Sequence, residues 1–141
     1  MSEKLAMIKK FFKSDVYAED TTGITIVSAD DGFAVCTLLP EAKHLNADGA
    51  VQGGAIYTLG DFCFAVAANA RAISEDGVPD TVTLSASITY LRPAKAGDLL
   101  TAEARCIKNG RKACCYEVTV FPESDRDKTI SVLTVNGMKT R

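Results

Sequence analysis

Between Glu3 and Lys13, apolar Leu5, Ile8, Phe11 and Phe12 recur at three- and four-residue intervals, with lysines elsewhere. That rhythm predicts an amphipathic helix over 3–13. Thr22-Gly23 ends this segment, and the short β-branched run 24–27 predicts a strand. Asp30-Asp31-Gly32 signals a turn and 33–39 a second strand, so the two form a hairpin that Pro40 closes. Residues 41–53 read as a loop around the turn pair Asp48-Gly49. From 53 to 73 the chain is apolar nearly all round, the pattern of a helix enclosed by other structure. After a polar break over 74–79, four strand-like runs follow, at 81–91, 99–108, 112–121 and 129–138. Asn109-Gly110 predicts a two-residue hairpin between the second and third of them.

The order is helix, two strands, one long helix, four strands. It predicts an α+β fold in which an antiparallel sheet wraps a single central helix, as one domain over 1–141. Sheet edges left open favour self-association, most simply two sheets joined edge to edge.

Composition narrows the function. The 141 residues are 47% hydrophobic, enough for a real core, and the net charge is −2. There is no basic stripe with interleaved aromatics, which argues against nucleic acid. Asp61, Asn69 and Arg71 interrupt the long apolar run, which argues against a membrane span. No basic stretch followed by an apolar core marks a signal peptide. Five cysteines without a Cys-x-x-Cys fit reduced thiols packed as small hydrophobes, so a cytoplasmic location is expected. The one histidine, His44, stands without clustered Cys, Asp or Glu, so no metal site is expected.

Asp61 is the only charged residue of the apolar run 55–70. A carboxylate there is either hydrogen-bonded and structural or a working acid, base or nucleophile. Gly53-Gly54 sits where the helix begins. Its backbone lets a substrate approach closely, and the free N–H groups of a first helical turn suit a developing oxyanion. Tight packing alone also explains a glycine pair. Asn46 and His44 taken singly are loop residues, and Thr83 taken singly is an ordinary strand residue.

Spacing joins them. His44, Asn46, Gly49, Gly53, Gly54, Leu59 and Asp61 stand at the intervals of H-x-N-x-x-G-x-x-H-G-G-x-x-x-x-L-x-D. This segment resembles the signature of the hotdog-fold thioesterases, nearest to the PaaI-type (phenylacetic acid degradation) acyl-CoA thioesterases. One position departs: Gln52 stands where the family has histidine. The segment 88–98, with Arg92-Pro93 and Gly97-Asp98, resembles the family's strand-to-loop segment, and the element order matches as well.

The resemblance implies hydrolysis of an acyl-CoA at a site built from two chains of a homodimer or homotetramer. It implies no cofactor beyond the CoA of the substrate. Gly54, with Gly53 beside it, would polarise the thioester carbonyl, and Asp61 of the opposite chain would act as nucleophile or as base. Asn46 would orient water or the carboxylate, and Thr83 would help hold the water. Gln52 and His44 are candidates for substrate contact. Arg92 and Lys95 are candidates for the CoA phosphates, with the basic tip 109–112 behind them. Tyr57, Phe62 and Phe64 are candidates for the acyl pocket. Two rival readings are a hotdog dehydratase or hydratase, which would need a histidine beside the acid, and a non-catalytic acyl-CoA or small-ligand binding module.

Overall fold

The computed structural model describes all 141 residues. Ser2 opens helix α1 (Glu3–Phe12), its hydroxyl accepting the Leu5 N–H at 3.1 Å. Ile8 and Phe12, four apart, turn inward, while Phe11 stays at the margin with its ring edge-on to Phe12. A π-helical turn, Tyr17–Thr22, follows and ends at Gly23 with φ of 91°. No apolar period announces it in the sequence.

β1 (Thr25–Asp30) and β2 (Phe33–Leu38) form the expected hairpin, with Gly32 at φ of 73° in the turn. β1 runs past its expected end because a bulge at Val27 restores pairing up to Asp30–Phe33. The loop after Pro40 contains one 3-10 turn, Ala42–His44. α2 (Gly53–Asp76) continues three residues beyond its expected end. An Arg71–Glu75 ion pair at 3.0 Å lies on that last stretch, and Gly77, at φ of 76°, caps it.

β3 (Thr81–Tyr90), β4 (Leu100–Asn109), β5 (Ala113–Pro122) and β6 (Ser131–Lys139) complete an antiparallel sheet in the order β1-β2-β4-β5-β6-β3. The β4–β5 turn corrects the two-residue expectation. A bulge between Cys106 and Lys108 shifts the register, so Asn109 still pairs with Cys114. The reversal falls on 110–113, closed by the Gly110 N–H donating to the Ala113 carbonyl at 2.8 Å. Gly110 does not adopt the positive φ that an Asn-Gly turn of the expected type requires.

Leu59, Cys63, Phe64 and Val66 of α2 are fully buried among the sheet's inner residues. Gly60 permits the closest approach: a Cβ there would lie 2.6 Å from a Leu133 methyl. The helix is not enclosed all round, however. Gly54, Tyr57, Thr58, Asp61, Ala65 and Ala68 recur at three- and four-residue spacing and remain partly or fully exposed. They form one continuous stripe along α2.

β3 is an edge strand, paired on one side only, to β6. Three contacts fasten it along α2. At the helix C-terminal end, buried Asn69 accepts the N–H groups of Asp80 and Thr81, each at 2.9 Å, and donates to the Thr81 and Ala65 carbonyls, each at 3.0 Å. In the middle, Thr83 Oγ1 donates to Asp61 Oδ1 at 2.8 Å. At the helix start, the Tyr90 hydroxyl donates to the Gly53 carbonyl at 2.7 Å. The strand's free side leaves Val82, Leu84 and Tyr90 about half exposed. No helix is long and apolar enough to cross a membrane.

Asn69→Leu keeps the volume but strands these buried backbone groups. A loss of about 3 kcal/mol in unfolding free energy is expected from urea titration, and a loss under 1 kcal/mol would show that the clamp is dispensable.

Candidate functional site

Asp61 sits halfway along the exposed stripe of α2, half-buried and not sunk in the core. Its carboxylate has one hydrogen-bond partner, the Thr83 hydroxyl. Desolvation pushes its pKa above the ordinary aspartate value; the Thr83 bond pulls it back, and the charge of Asp15 pushes it up further. The cleft beside it is walled by Asp15, Tyr17, Tyr57, Phe62 and Ala65.

The two glycines at the helix start separate on inspection. Gly53 has a packing reason, because a Cβ there would meet the Tyr90 ring at 3.0 Å. Its N–H is also taken, by Gln52 Oε1 at 3.1 Å, so Gln52 caps its own helix. Gly54 has no such reason. A Cβ there would only touch Gln52 at an ordinary 3.9 Å, and its φ is not positive. Its N–H finds no acceptor within the chain, and the residue is exposed. One open backbone donor therefore remains at the positive end of a 24-residue helix.

Asn46 is oriented by its own loop. Its Oδ1 accepts the Asp48 N–H at 2.9 Å and the Ala50 N–H at 3.1 Å, leaving the Nδ2 group without a protein partner. It lines one cleft with Gly53, Tyr90 and Arg92. His44 differs from the substrate contact expected of it. The ring is buried, Nδ1 accepts the Glu41 N–H at 2.9 Å, and Nε2 donates to the Thr22 carbonyl at 2.7 Å. Nδ1 is spent within the loop and Nε2 ties the loop to the π-helical turn, so neither is free for a ligand. No histidine of the same chain lines the Asp61 cleft, and a dehydratase reading would need His44 of another chain with a ring nitrogen released from these bonds.

Arg92 and Lys95 share a cleft with Lys128 and Asp98. Arg92 Nε donates to the Thr129 carbonyl at 3.2 Å, which steadies it there. The tip at 109–112 lies apart from this basic cleft. Of the aromatic candidates, Tyr57 and Phe62 reach the Asp61 cleft. Phe64 does not: it is fully buried edge-on to Tyr116, 5.2 Å between ring centres, because its side of α2 faces the sheet. Tyr90, Lys128, Asp15 and Tyr17 carried no expectation from the sequence. Tyr90 was legible within the segment 88–98, whereas the other three lie in turns with no periodic signal.

One distance governs how these parts can act together. Gly54 and Asp61 are seven residues apart on one helix, about 10 Å along its axis. A single carbonyl cannot touch both within one chain.

A six-stranded antiparallel sheet curled on one long helix, with an open donor at the helix start and a carboxylate on its flank, is the hotdog architecture. The family model of the thioesterase superfamily matches residues 48–129. The chain is 32% identical over 121 residues to the acyl-coenzyme A thioesterase PaaI of Escherichia coli K12, covering 86% of this chain and 80% of that one. It is 33% identical over 105 residues to human acyl-coenzyme A thioesterase 13, covering 74% and 72%. The solved structure of E. coli PaaI superposes with a TM-score of 0.86 at 28% identity, over 99% of this chain and 96% of that one. A Streptococcus mutans protein bound to acetyl-CoA superposes with a TM-score of 0.72 at 32% identity, over 83% and 88%. The chain belongs to the thioesterase superfamily, within its PaaI-like hotdog group, and is an enzyme of that class.

The raised pKa of Asp61 has a consequence for stability. A carboxyl whose folded-state pKa lies above its unfolded value stabilises the fold when protonated, and that contribution is lost as pH rises through the folded pKa. Asp61→Asn does not titrate. Its melting temperature should exceed that of the wild type at pH 7, with the gap closing below about pH 4. A gap independent of pH would contradict the shift.

Proposed function

We propose that this protein hydrolyses acyl-CoA thioesters at sites shared between two copies of the chain. The thioester carbonyl accepts the Gly54 N–H of one protomer, and Asp61 of the other attacks it or activates a water. What carries this reading is the pairing of an otherwise unexplained Gly54, with its open N–H, and a half-buried Asp61 too far away to serve the same carbonyl in one chain. The free edge of β3, with Val82, Leu84 and Tyr90 exposed, supplies the surface for a second sheet to continue the first. Antiparallel β3 strands would set the two α2 helices side by side in opposite directions. Each Asp61 would then face the other chain's helix start.

The roles follow from atoms left unpaired. Asn46 has only Nδ2 to offer, so it donates to the carboxylate or to the water. Thr83 holds Asp61 in one rotamer through its 2.8 Å hydrogen bond. Arg92, Lys95 and Lys128 take the phosphates of CoA at the basic cleft. Thiolate is a good leaving group, so polarisation of the carbonyl plus one placed carboxylate is sufficient chemistry. Relatives named for acyl-CoA hydrolysis and a fold neighbour holding acetyl-CoA support the substrate class.

Thiol release from a panel of acyl-CoAs tests the reaction. Asp61→Ala should lower kcat by about a thousandfold or more with the fold intact. Release by the wild type that is unchanged in this variant would sink the mechanism. CoA binding without release from any substrate would leave a binding module instead.

Gly54→Ala separates function from packing. It should fold at least as stably as wild type, since Ala favours a helix over Gly by up to about 1 kcal/mol, yet the added methyl should hold the thioester carbonyl off the N–H and lower kcat by about a hundredfold. Mixing the two inactive variants tests the shared site. Heterodimers retain one site with both Gly54 and Asp61 native, so a statistical mixture should recover about a quarter of wild-type activity. No recovery after subunit exchange would place both residues in one chain's site.

A further inference from the structure

We propose that Asp15 is a specificity-determining residue, which from the wall of the acyl cleft excludes acyl groups carrying a negative charge. The proposal rests on the thioesterase reading of Asp61. The cleft beside that carboxylate, about 260 Å³, is walled by Asp15, Tyr17, Tyr57, Asp61, Phe62 and Ala65, and no lysine, arginine or histidine lines it. An engineered apolar cavity of about 150 Å³ takes benzene, so this space suits a ring or a short branched chain. A cluster of basic side chains, Arg92, Lys95 and Lys128, lines a separate cleft, and Lys43 lines the cleft of Gly54. The charges divide the substrate: its phosphates belong at the basic cleft and its acyl group against Asp61.

Asp15 is built into its place. It sits between α1 and the π-helical turn, where its Oδ1 accepts the Ala18 N–H at 3.0 Å. Its own N–H donates to the Phe12 carbonyl at 2.9 Å, and its carbonyl accepts the Glu19 N–H at 3.0 Å. These bonds hold the carboxylate in one orientation at the cleft wall. Asp15 and Asp61 line the same cleft, and the charge of Asp15 adds to the desolvation that dominates at Asp61. A substrate carboxylate entering the cleft meets both, and the chain that carries them sets no cation in the wall. Like charges a few ångströms apart, at an effective dielectric of roughly 20, repel enough to change affinity by about tenfold or more. An uncharged acyl group meets tyrosine rings and alanine.

Valeryl-CoA and glutaryl-CoA differ only by a carboxylate in place of the terminal methyl, and their kcat/KM ratio reads the effect. Asp15→Asn keeps the Oδ1 acceptor for the Ala18 N–H, so the turn stays capped. Asp15→Lys places a cation at the same wall. Any change that Asp15 makes to the proton on Asp61 acts on both substrates and cancels in the ratio. The glutaryl-to-valeryl ratio should rise at least about tenfold in Asp15→Lys and by a smaller factor in Asp15→Asn, mainly through the KM of glutaryl-CoA. A ratio within about twofold of wild type in both variants, with valeryl-CoA still turned over, overturns the proposal alone. No thiol release by the wild type from either substrate overturns the thioesterase reading, and the proposal with it.

Discussion

The site depends on how an edge strand is fastened to a helix. β3 has a ladder on one side only, so its pairing with β6 leaves its tilt over α2 open. Asn69 closes that freedom with four hydrogen bonds to backbone groups of the helix and the strand start. Once the first residue of β3 is pinned there, the antiparallel run brings Thr83 to Asp61 and Tyr90 to Gly53. A buried amide that satisfies several backbone groups is costly to replace. It therefore acts as a register mark between two elements that apolar packing alone would let slide.

The same seam explains why the catalytic candidates are half-exposed and not buried. The sheet-facing side of α2 is filled by Leu59, Cys63, Phe64 and Val66, and Gly60 lets the helix settle against Leu133. Nothing charged is tolerated on that side. Asp61 lies on the opposite stripe, where one strand hydroxyl and partial water access meet the cost of its charge. The raised pKa records a carboxylate partly stripped of water and steadied by one hydroxyl. Tyr57 shares that environment, its hydroxyl pushed upward by desolvation and by the Asp61 charge.

Spacing carried the parts of the fold and site that are local. The long helix over 53–73, the two hairpins and the separation of Gly54 from Asp61 on one helix are written in intervals of three, four and seven residues. What depends on strand order was not legible. Nothing in the run 81–90 says that β3 crosses to the far edge beside β6, so the Thr83–Asp61 bond could not be derived. Asn69 read as an interruption of an apolar run because its partners, at 80 and 81, are defined only by the chain's return. Phe64 read as a pocket residue because a helix apolar on most sides hides its rotation. Asp15 and Tyr17 flank a π-helical turn, which has no sequence period to find.

Gln52 stands where the family resemblance expects histidine, and the structure gives the substitution a physical meaning. Its Oε1 turns back onto the Gly53 N–H, so one of the helix's free donors is consumed before any substrate arrives. In the proposed mechanism the carbonyl is then left to Gly54, with the helix dipole behind it. A glutamine cannot deliver a proton near neutral pH, but a departing CoA thiolate does not require one. The loss of an imidazole is thus compatible with hydrolysis, provided the oxyanion needs a single well-placed backbone donor. His44 cannot compensate, since both its nitrogens hold the loop to the Thr22 carbonyl and the Glu41 N–H. In the proposed mechanism the chemistry accordingly narrows to one N–H and one carboxylate, with the Thr83 hydroxyl orienting that carboxylate.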